Sequence, residues 1–387
     1  MSMRIAVIGA GIAGLTTALA LHRAGLACRV YEQAGRLGPV GAGIQLAPNA
    51  SKLLHRLGLR DELMRTAARP RALRRRRWRD GQVLGHTVLG QHCVELYGAP
   101  YYTMHRADLH RMLADALPEG TVRLGSSCVG VETGDVTAVR FATGAAERAD
   151  VVIGADGIHS VVRQSLVIDT PRFTGEAIYR GLVPRQDVPF RDEEIVSWLG
   201  PGRHCVCYPV SAGRSFAFSA TVPAAHGAQE SWSAQGSRAE LTAAYADWHD
   251  DVRQLFDGAE LVGKWALYDR DPVAWTGADR TTLAGDAAHP MLPTLAQGAN
   301  QAIEDAVVLA RCLAASTPAG APGALRRYEK ARRQRTSAIQ ASSRSRATVA
   351  HLPDSAEQHR RDTGLRGADE LRDRAWIYGY DAEKATL

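Results

Sequence analysis

The segment at residues 4–32, RIAVIGAGIAGLTTALALHRAGLACRVYE, constrains this chain more than any other. The apolar run from Ile5 to Ile8 reads as a buried parallel strand. Gly9, Gly11 and Gly14 follow at G-x-G-x-x-G spacing, then an apolar helix over about residues 15–21 and a second strand, Cys28 to Tyr31, that ends on Glu32. Each piece has a physical job. Gly9 permits the tight turn, Gly11 lets a pyrophosphate approach the backbone, and Gly14 lets helix and strand pack closely. The helix start offers unpaired N–H groups and a positive dipole end to phosphate. Glu32 stands where an acid accepts from a ribose hydroxyl, which favours FAD or NAD over NADP.

With 387 residues, 45% of them hydrophobic, the chain can bury a large core as two domains or one large one. The first strand begins directly after Met-Ser-Met and no apolar run is long enough to span a bilayer, so the expectation is a cytoplasmic protein with no membrane partner. The six cysteines are scattered without zinc spacing, and Cys205 and Cys207 would share one face of a strand; buried reduced thiols and no metal site are expected. The net charge of +6 raises the question of nucleic acid, but the densest basic run, RPRALRRRRWR at residues 69–79, leads into an Asp80-Gly81 turn. It reads as the first strand of a hairpin with a solvated arginine face, since no stacking aromatics beyond Trp78 are interleaved.

Further along, the glycine-rich loop at residues 33–46 suggests backbone lying against a ligand, and a helix follows over about residues 48–57. A helix over residues 106–117 precedes short strands near 122–124, 128–132 and 136–142, read as a small antiparallel insertion. Residues 149–153 form another buried strand, running into Gly154-Ala155-Asp156-Gly157 and a short helix near 160–166. From 173 to 268 the alternating runs at 195–199, 204–210 and 215–222 predict a mostly antiparallel sheet, interrupted by a helix near 238–249. A strand at 281–284 returns to the dinucleotide-type pattern, long helices cover 297–313 and 324–350, and a partly exposed helical tail closes the chain. The fold class is therefore α/β: a Rossmann-like unit from residues 1–70, 99–170 and 280–350, an inserted antiparallel sheet domain from 71–98 and 171–279, and a helical tail at 351–387.

Three motifs spaced over nearly the whole chain carry a family likeness: GAGIAG (Gly9–Gly14), VIGADGIHSVVR (Val152–Arg163) and LAGDAAHPMLPTLAQGANQAIEDA (Leu283–Ala306). With VGAGIQLAPNA, HRADLH and AWIYGYD, the set resembles the single-component FAD-dependent aromatic hydroxylases, above all the group of salicylate hydroxylase, 3-hydroxybenzoate 6-hydroxylase and 6-hydroxynicotinate 3-monooxygenase. The resemblance implies tightly bound, non-covalent FAD and a transient NAD(P)H. It assigns to the cofactor Gly9, Gly11, Ala13, Gly14 and Glu32, the loop residues Gly41, Ala42 and Gln45, and Cys128. It further assigns Arg106 near the pyrophosphate, Asp156 in the second motif, Asp286 on a ribityl hydroxyl, and Gly298, Ala299 and Asn300 at a helix start aimed at the flavin. A turn stabilised by an aspartate cap is an equal reading of Asp156 for its nicotinamide role. There is no second G-x-G-x-x-G and no CxxC, which disfavours the two-dinucleotide disulfide reductases.

The implied reaction passes through a C4a-hydroperoxyflavin that hydroxylates a phenolate-activated ring, so a base is needed. His204 in RHCVCYPV matches the family's base position, and strand alternation turns His204, Val206 and Tyr208 to one face. Pro293 stands where the family keeps a proline beside the oxygen-reacting flavin edge, and His289 is expected to hold that loop rather than touch substrate. Two positions depart from the hydroxynicotinate enzyme's pattern, which has His where this chain has Gln45 and Thr294; this leans toward a benzoate-type ring lined by Gln45, Thr294, His204 and Tyr208. Arg180 and Arg203 are the candidates for its carboxylate. The expected activity is hydroxylation of a small phenolic acid with O2, decarboxylative for an ortho-hydroxy acid, by a monomer or homodimer. The alternatives are an FAD epoxidase or hydroxylase of a larger natural-product intermediate, a flavin-binding or basic nucleic-acid-binding protein without catalysis, and, least favoured, a plain NAD-dependent dehydrogenase.

Overall fold

The computed structural model describes residues 3–38, 43–132, 137–190, 193–225, 236–273, 275 and 280–387. Its centre is a five-stranded sheet in the order Thr281–Leu283, Val151–Gly154, Ile5–Ile8, Cys28–Tyr31, Val122–Arg123, parallel throughout. Ile5–Ile8 is buried on both faces, as its unbroken apolar run requires. Ile5 and Val7 point into a core shared with the helices Ile12–Arg23 and Gly298–Ala314. Ala6 and Ile8 point the other way, onto Val139 and Phe141 of a three-stranded antiparallel sheet formed by Cys128–Glu132, Thr137–Phe141 and Ala146–Ala149. The α/β fold class and the antiparallel sheets are as expected.

Two boundaries differ from expectation. The strand at 122–123 joins the parallel sheet beside Cys28–Tyr31 instead of the antiparallel insertion. The run at 149–153 is divided between two sheets, because the Asp150 carboxylate accepts from Arg4 N (2.9 Å) and turns the chain from one sheet into the other. Beyond these boundaries, the helix at Pro48–Leu54 continues into His55–Leu59, where Gly58 at φ +93° kinks the chain, and a further helix follows at Arg60–Thr66.

The second large sheet has seven strands, in the order Leu261–Asp269, Arg172–Pro184, Ser215–Pro223, Arg203–Val210, Ile195–Gly200, Ala72–Arg77, Val83–Val88. All neighbours are antiparallel except Ile195–Gly200 with Ala72–Arg77. The arginine-rich hairpin is thus part of this sheet, and its predicted solvated face is corrected. Arg74 pairs with Glu194 (2.8 Å), Arg76 with Asp251 (2.9 Å), Arg77 with Asp80, and Arg75, only 6% exposed, with Glu370. Most of these carboxylates come from segments far along the chain, so the strand's own sequence carries no sign of them. The helix expected near 238–249 is two, Arg238–Ala244 and Asp250–Asp257, each with its own side-chain cap from Ser237 and His249.

All six cysteines are free; Cys205 and Cys207 point together into the core behind the seven-stranded sheet. The C-terminal segment forms helices at Ala356–Gly367, Glu370–Asp373 and Ala375–Tyr378, and its Leu371, Ile377 and Tyr378 are buried beside Tyr101, Tyr208 and Leu295. No helix among the described residues is long and apolar enough to cross a membrane.

Candidate active site

The carboxyl ends of the parallel strands open into a cavity of about 850 Å³, closed on the other side by one face of the seven-stranded sheet. The glycine turn forms its floor. Gly9 has φ +98°, and a Cβ there would lie 2.6 Å from Ala155 O. A Cβ on Gly14 would lie 1.9 Å from Gly9 O, whereas one on Gly11 would meet nothing within 4 Å. Gly14 therefore packs helix onto turn, outside the cavity, while Gly9, Gly11 and Ala13 line it. Glu32 accepts from Ala10 N (2.8 Å) and Ala34 N (2.9 Å), tying this turn to the end of the second strand. His110 fixes the same turn through Ala10 O (2.7 Å). Sequence reasoning misses that histidine, although it lies four residues after Arg106 on one helix face, a spacing that could have revealed it.

Arg106, Arg180 and Asp286 meet in the cavity. Burial raises the Asp286 carboxyl's pKa, opposed by His289, Arg106 and Arg180. Burial lowers both arginines, and Arg180 depresses Arg106 further. Two guanidinium groups against one carboxylate leave the site suited to an anionic guest. Gly298 and Ala299 open the 17-residue helix Gly298–Ala314 onto the same space, with no acidic residue in the first turn and no side-chain cap. Gln297, just before it, accepts from Asn49 and Gln301 (both 3.0 Å), yet its Nε2 is buried with no partner among the described residues.

An open space above Gly11, an uncapped helix start and an orphaned buried amide beside it are the features that an isoalloxazine and pyrophosphate would complete. These residues fit FAD.

The other predicted residues take several kinds of place. Asp156 lines the cavity but accepts from Ser160 Oγ (2.5 Å), Val161 N (2.8 Å) and Val162 N (3.2 Å), capping the short helix Val161–Gln164; burial raises its pKa despite these bonds. Asn300 does not reach the cavity: it accepts from Ala47 N (2.8 Å) and donates to Gln45 O (3.0 Å) and Ala296 O (2.7 Å), bracing the strand Gly43–Leu46. Thr294 donates to Ser343 O (2.6 Å) and does not line the cavity. Gly41 and Ala42 lie outside the described residues. Cys128 lines the cavity and is half-buried, and burial raises its thiol pKa.

At the opposite end His204, Val206 and Tyr208 share the face that borders the cavity, next to Gln45 and Pro293. Burial pushes the Tyr208 hydroxyl up to about 12, partly offset by Arg180. Burial, then His351, Arg75 and Arg346, push His204 down to about 3, so it is neutral at working pH. Tyr101 donates to Gln45 Oε1 (2.8 Å), fixing which end of that amide faces the site. Arg180 stacks 5.6 Å above Trp265 and its Nε is buried without a partner among the described residues. Arg203 instead lies over the Tyr245 ring at 5.7 Å and does not line the cavity. His289 is buried and bonded to Asp305 (2.6 Å), holding the loop that carries Asp286.

Such a cavity can hold a flavin across its floor and present an aromatic acid to a neutral imidazole. The FAD binding domain family model matches residues 2–343. The 3-amino-4-hydroxybenzoate 2-monooxygenase of Streptomyces platensis is 50% identical over 382 residues, covering 98% of this chain and 96% of that protein. The 6-hydroxynicotinate 3-monooxygenase of Bordetella bronchiseptica is 39% identical over 87% of this chain and 89% of its own length. Among solved structures, Klebsiella pneumoniae HpxO complexed with FAD and uric acid superimposes with a TM-score of 0.87 at 29% identity, covering 97% of this chain and 96% of that one. Taken with the glycine turn and the cavity it floors, these likenesses make the chain a member of the FAD-binding flavoprotein monooxygenases that hydroxylate aromatic acids.

Proposed function

We propose that this chain hydroxylates an aminohydroxybenzoate, with NAD(P)H as reductant and O2 as oxygen source, leaving the carboxylate in place. The observation that carries this reading is the 50% identity, across 98% of the chain, to a 3-amino-4-hydroxybenzoate 2-monooxygenase. One oxygen atom enters the ring in place of hydrogen and the other leaves as water, while NAD(P)H and a proton supply two electrons and the balance of hydrogen. Bound FAD supplies the hydride acceptance and the oxygen activation.

The remaining work falls to the side chains. Arg180, buried and lacking a partner at Nε among the described residues, is assigned to the carboxylate. His204 takes the phenolic proton, and Tyr208 and Gln45 orient the ring beside Pro293. In the relative's substrate the target carbon is ortho to the amine and meta to the hydroxyl. The neutral amine therefore activates that carbon directly, and ionising the hydroxyl raises the electron density of the whole ring. The same reading assigns residues 1–70, 99–170 and 280–350 to the FAD unit, 71–98 and 171–279 to the substrate unit and 351–387 to a tail that packs beside it.

The test is NADH and NADPH oxidation by the FAD-loaded protein across aminohydroxybenzoates, hydroxybenzoates and hydroxynicotinates, with oxygen uptake, peroxide, CO2 and product followed together. Strong stimulation by 3-amino-4-hydroxybenzoate, with hydroxylated product matching NAD(P)H consumed and no CO2, is expected. His204→Ala should then lose roughly 10²–10⁴ in turnover, the span typical of a missing acid–base group. Slow oxidation that yields only peroxide with every ring would overturn the substrate assignment.

A further inference from the structure

A chain of contacts leads away from the cavity through residues that the reading above does not use. His204 Nδ1 lies 2.7 Å from Nε2 of His351, and His351 Nδ1 lies 2.8 Å from Glu176 Oε1. The three come from different elements. His204 is on the strand Arg203–Val210, His351 caps the C-terminus of the 30-residue helix Ala321–Ala350, and Glu176 is on the strand Arg172–Pro184. Gly202 N donates to His351 O (3.0 Å), which anchors the helix end against the strand that bears His204. We propose that His204, His351 and Glu176 form a proton relay from the substrate to the protein surface, an inference that rests on the aromatic-acid reading above.

The direction follows from what each atom can do. An ionised carboxylate only accepts, so His351 must carry its proton on Nδ1 to bond with Glu176. With His351 neutral, its Nε2 is a lone pair, and the 2.7 Å contact then places the His204 proton on Nδ1. That leaves His204 Nε2 unprotonated, as a base for the cavity requires. Thr221 Oγ1, 3.2 Å from His204 Nδ1 and 3.4 Å from His351 Nε2, flanks the junction. Tyr245 donates to the backbone oxygens of His204 and Thr221 and leaves both rings free.

A proton on His204 is disfavoured, because the ring is buried and His351, then Arg75 and Arg346, which share Glu370 as their carboxylate partner, oppose positive charge on it. Exposure rises outward: His204 is buried, and the side chains of His351 and Glu176 are 11% and 20% exposed. The balanced step is therefore a concerted shift. The substrate O–H bond breaks as a proton joins His204 Nε2, Nδ1–H passes to His351 Nε2, and His351 Nδ1–H passes to Glu176. No electrons change hands, and the reverse shift returns the proton. His351 and Glu176 are positioning and relay residues, not catalytic ones.

The test uses oxidised, FAD-loaded protein without reductant, mixed rapidly with 3-amino-4-hydroxybenzoate in weakly buffered solution containing a pH indicator. Binding is followed separately by the flavin spectrum. Wild type should release a proton quickly. Glu176→Gln and His351→Gln should bind the acid with unchanged affinity but release the proton at least about tenfold more slowly. In His351→Gln the introduced amide can still accept from His204 and hold its ring, so slow release there reports lost transfer and not lost orientation. Added imidazole should speed release by His351→Ala. Release at the wild-type rate in both glutamine variants, or no release phase in wild type, would overturn the relay. If His351→Ala fails to fold, the partly exposed Glu176→Gln decides alone. A flavin spectrum unmoved by the acid in wild type would instead remove the substrate reading, and the relay with it.

Discussion

Gly43 shows how one missing side chain shapes the end of the cavity that His204 and Tyr208 border. A Cβ there would come within 2.5 Å of both Tyr208 Cε2 and Ala217 Cβ, and 2.7 Å from the Tyr208 hydroxyl. Neither neighbour is a flexible chain end: Tyr208 is a buried ring on a central strand, and Ala217 is wholly buried. Gly43→Ala should therefore displace Tyr208 or the strand Gly43–Leu46 at a cost of about 1–3 kcal/mol, the usual range for overpacking. Thermal unfolding would record this. Because Tyr208 borders the end proposed for the aromatic acid, KM for that acid should rise more than FAD retention falls. A variant with a lower Tm but unchanged KM would mean that Tyr208 does not help to position the ring.

At the scale of elements, the helix that opens onto the cavity is joined to the 30-residue helix through charge. Arg332, wholly buried on the 30-residue helix, binds Glu304 (2.6 Å) and Asp305 (2.7 Å) of the helix Gly298–Ala314. Asp305 in turn accepts from Gly285 N (2.9 Å) and His289 (2.6 Å), which positions the turn bearing Asp286. Removing the guanidinium takes one cationic partner from two buried carboxylates; Glu304 keeps Arg335 (2.7 Å) and Asp305 keeps His289 (2.6 Å), so the loss should lie at or below the about 3–5 kcal/mol typical of a broken buried pair. Arg332→Ala should thus unfold at markedly lower denaturant and also bind FAD more weakly, since the Asp286 turn loses its brace. Chemical denaturation with flavin fluorescence measures both. The arginine-rich strand Ala72–Arg77 follows the same logic on a larger sheet, with Arg74, Arg75 and Arg76 matched from distant segments of the chain.

For the molecule as a whole, pH acts on the fold from two sides. Burial alone would raise the Asp305 carboxyl, but His289 and Arg332 outweigh it and hold it down to about 2. A depressed acid stabilises the fold above its unfolded pKa of 3.8, and that contribution disappears as pH falls through about 2. Glu329 has the opposite sign. Burial, only partly opposed by the hydrogen bond from Thr282 (3.1 Å), pushes it up from 4.5 to about 7. The folded protein therefore binds the extra proton between these values and loses stability as pH rises through the interval. Glu329→Gln keeps an acceptor for Thr282, so it should raise Tm at pH 8 and leave it unchanged at pH 4. Equal Tm for the two proteins at pH 8 would show that Glu329 ionises in the fold without penalty.

The α/β core was legible in the sequence because its causes are local. An unbroken apolar run marks Ile5–Ile8, alternation marks Arg203–Val210, and Gly9 and Gly14 stand where a side chain would meet backbone. Alternation was also enough to turn His204, Val206 and Tyr208 to one side. What lay beyond reach depends on partners distant along the chain. Arg75 finds Glu370 at a separation of 295 residues, His204 finds His351 at 147, and the strand expected at 149–153 divides because Arg4 meets Asp150. Asn300 and Thr294 share the helix-start motif with Gly298 and Ala299, yet they turn inward to brace backbone because the helix and its neighbours leave them carbonyls to satisfy. Local patterning thus determined the strands, the glycine turn and the residue types available for chemistry. Tertiary packing decided which charges are paired, which nitrogen of His204 is free, and which side chains reach the cavity, because burial and pairing are properties of neighbours in space and not in sequence.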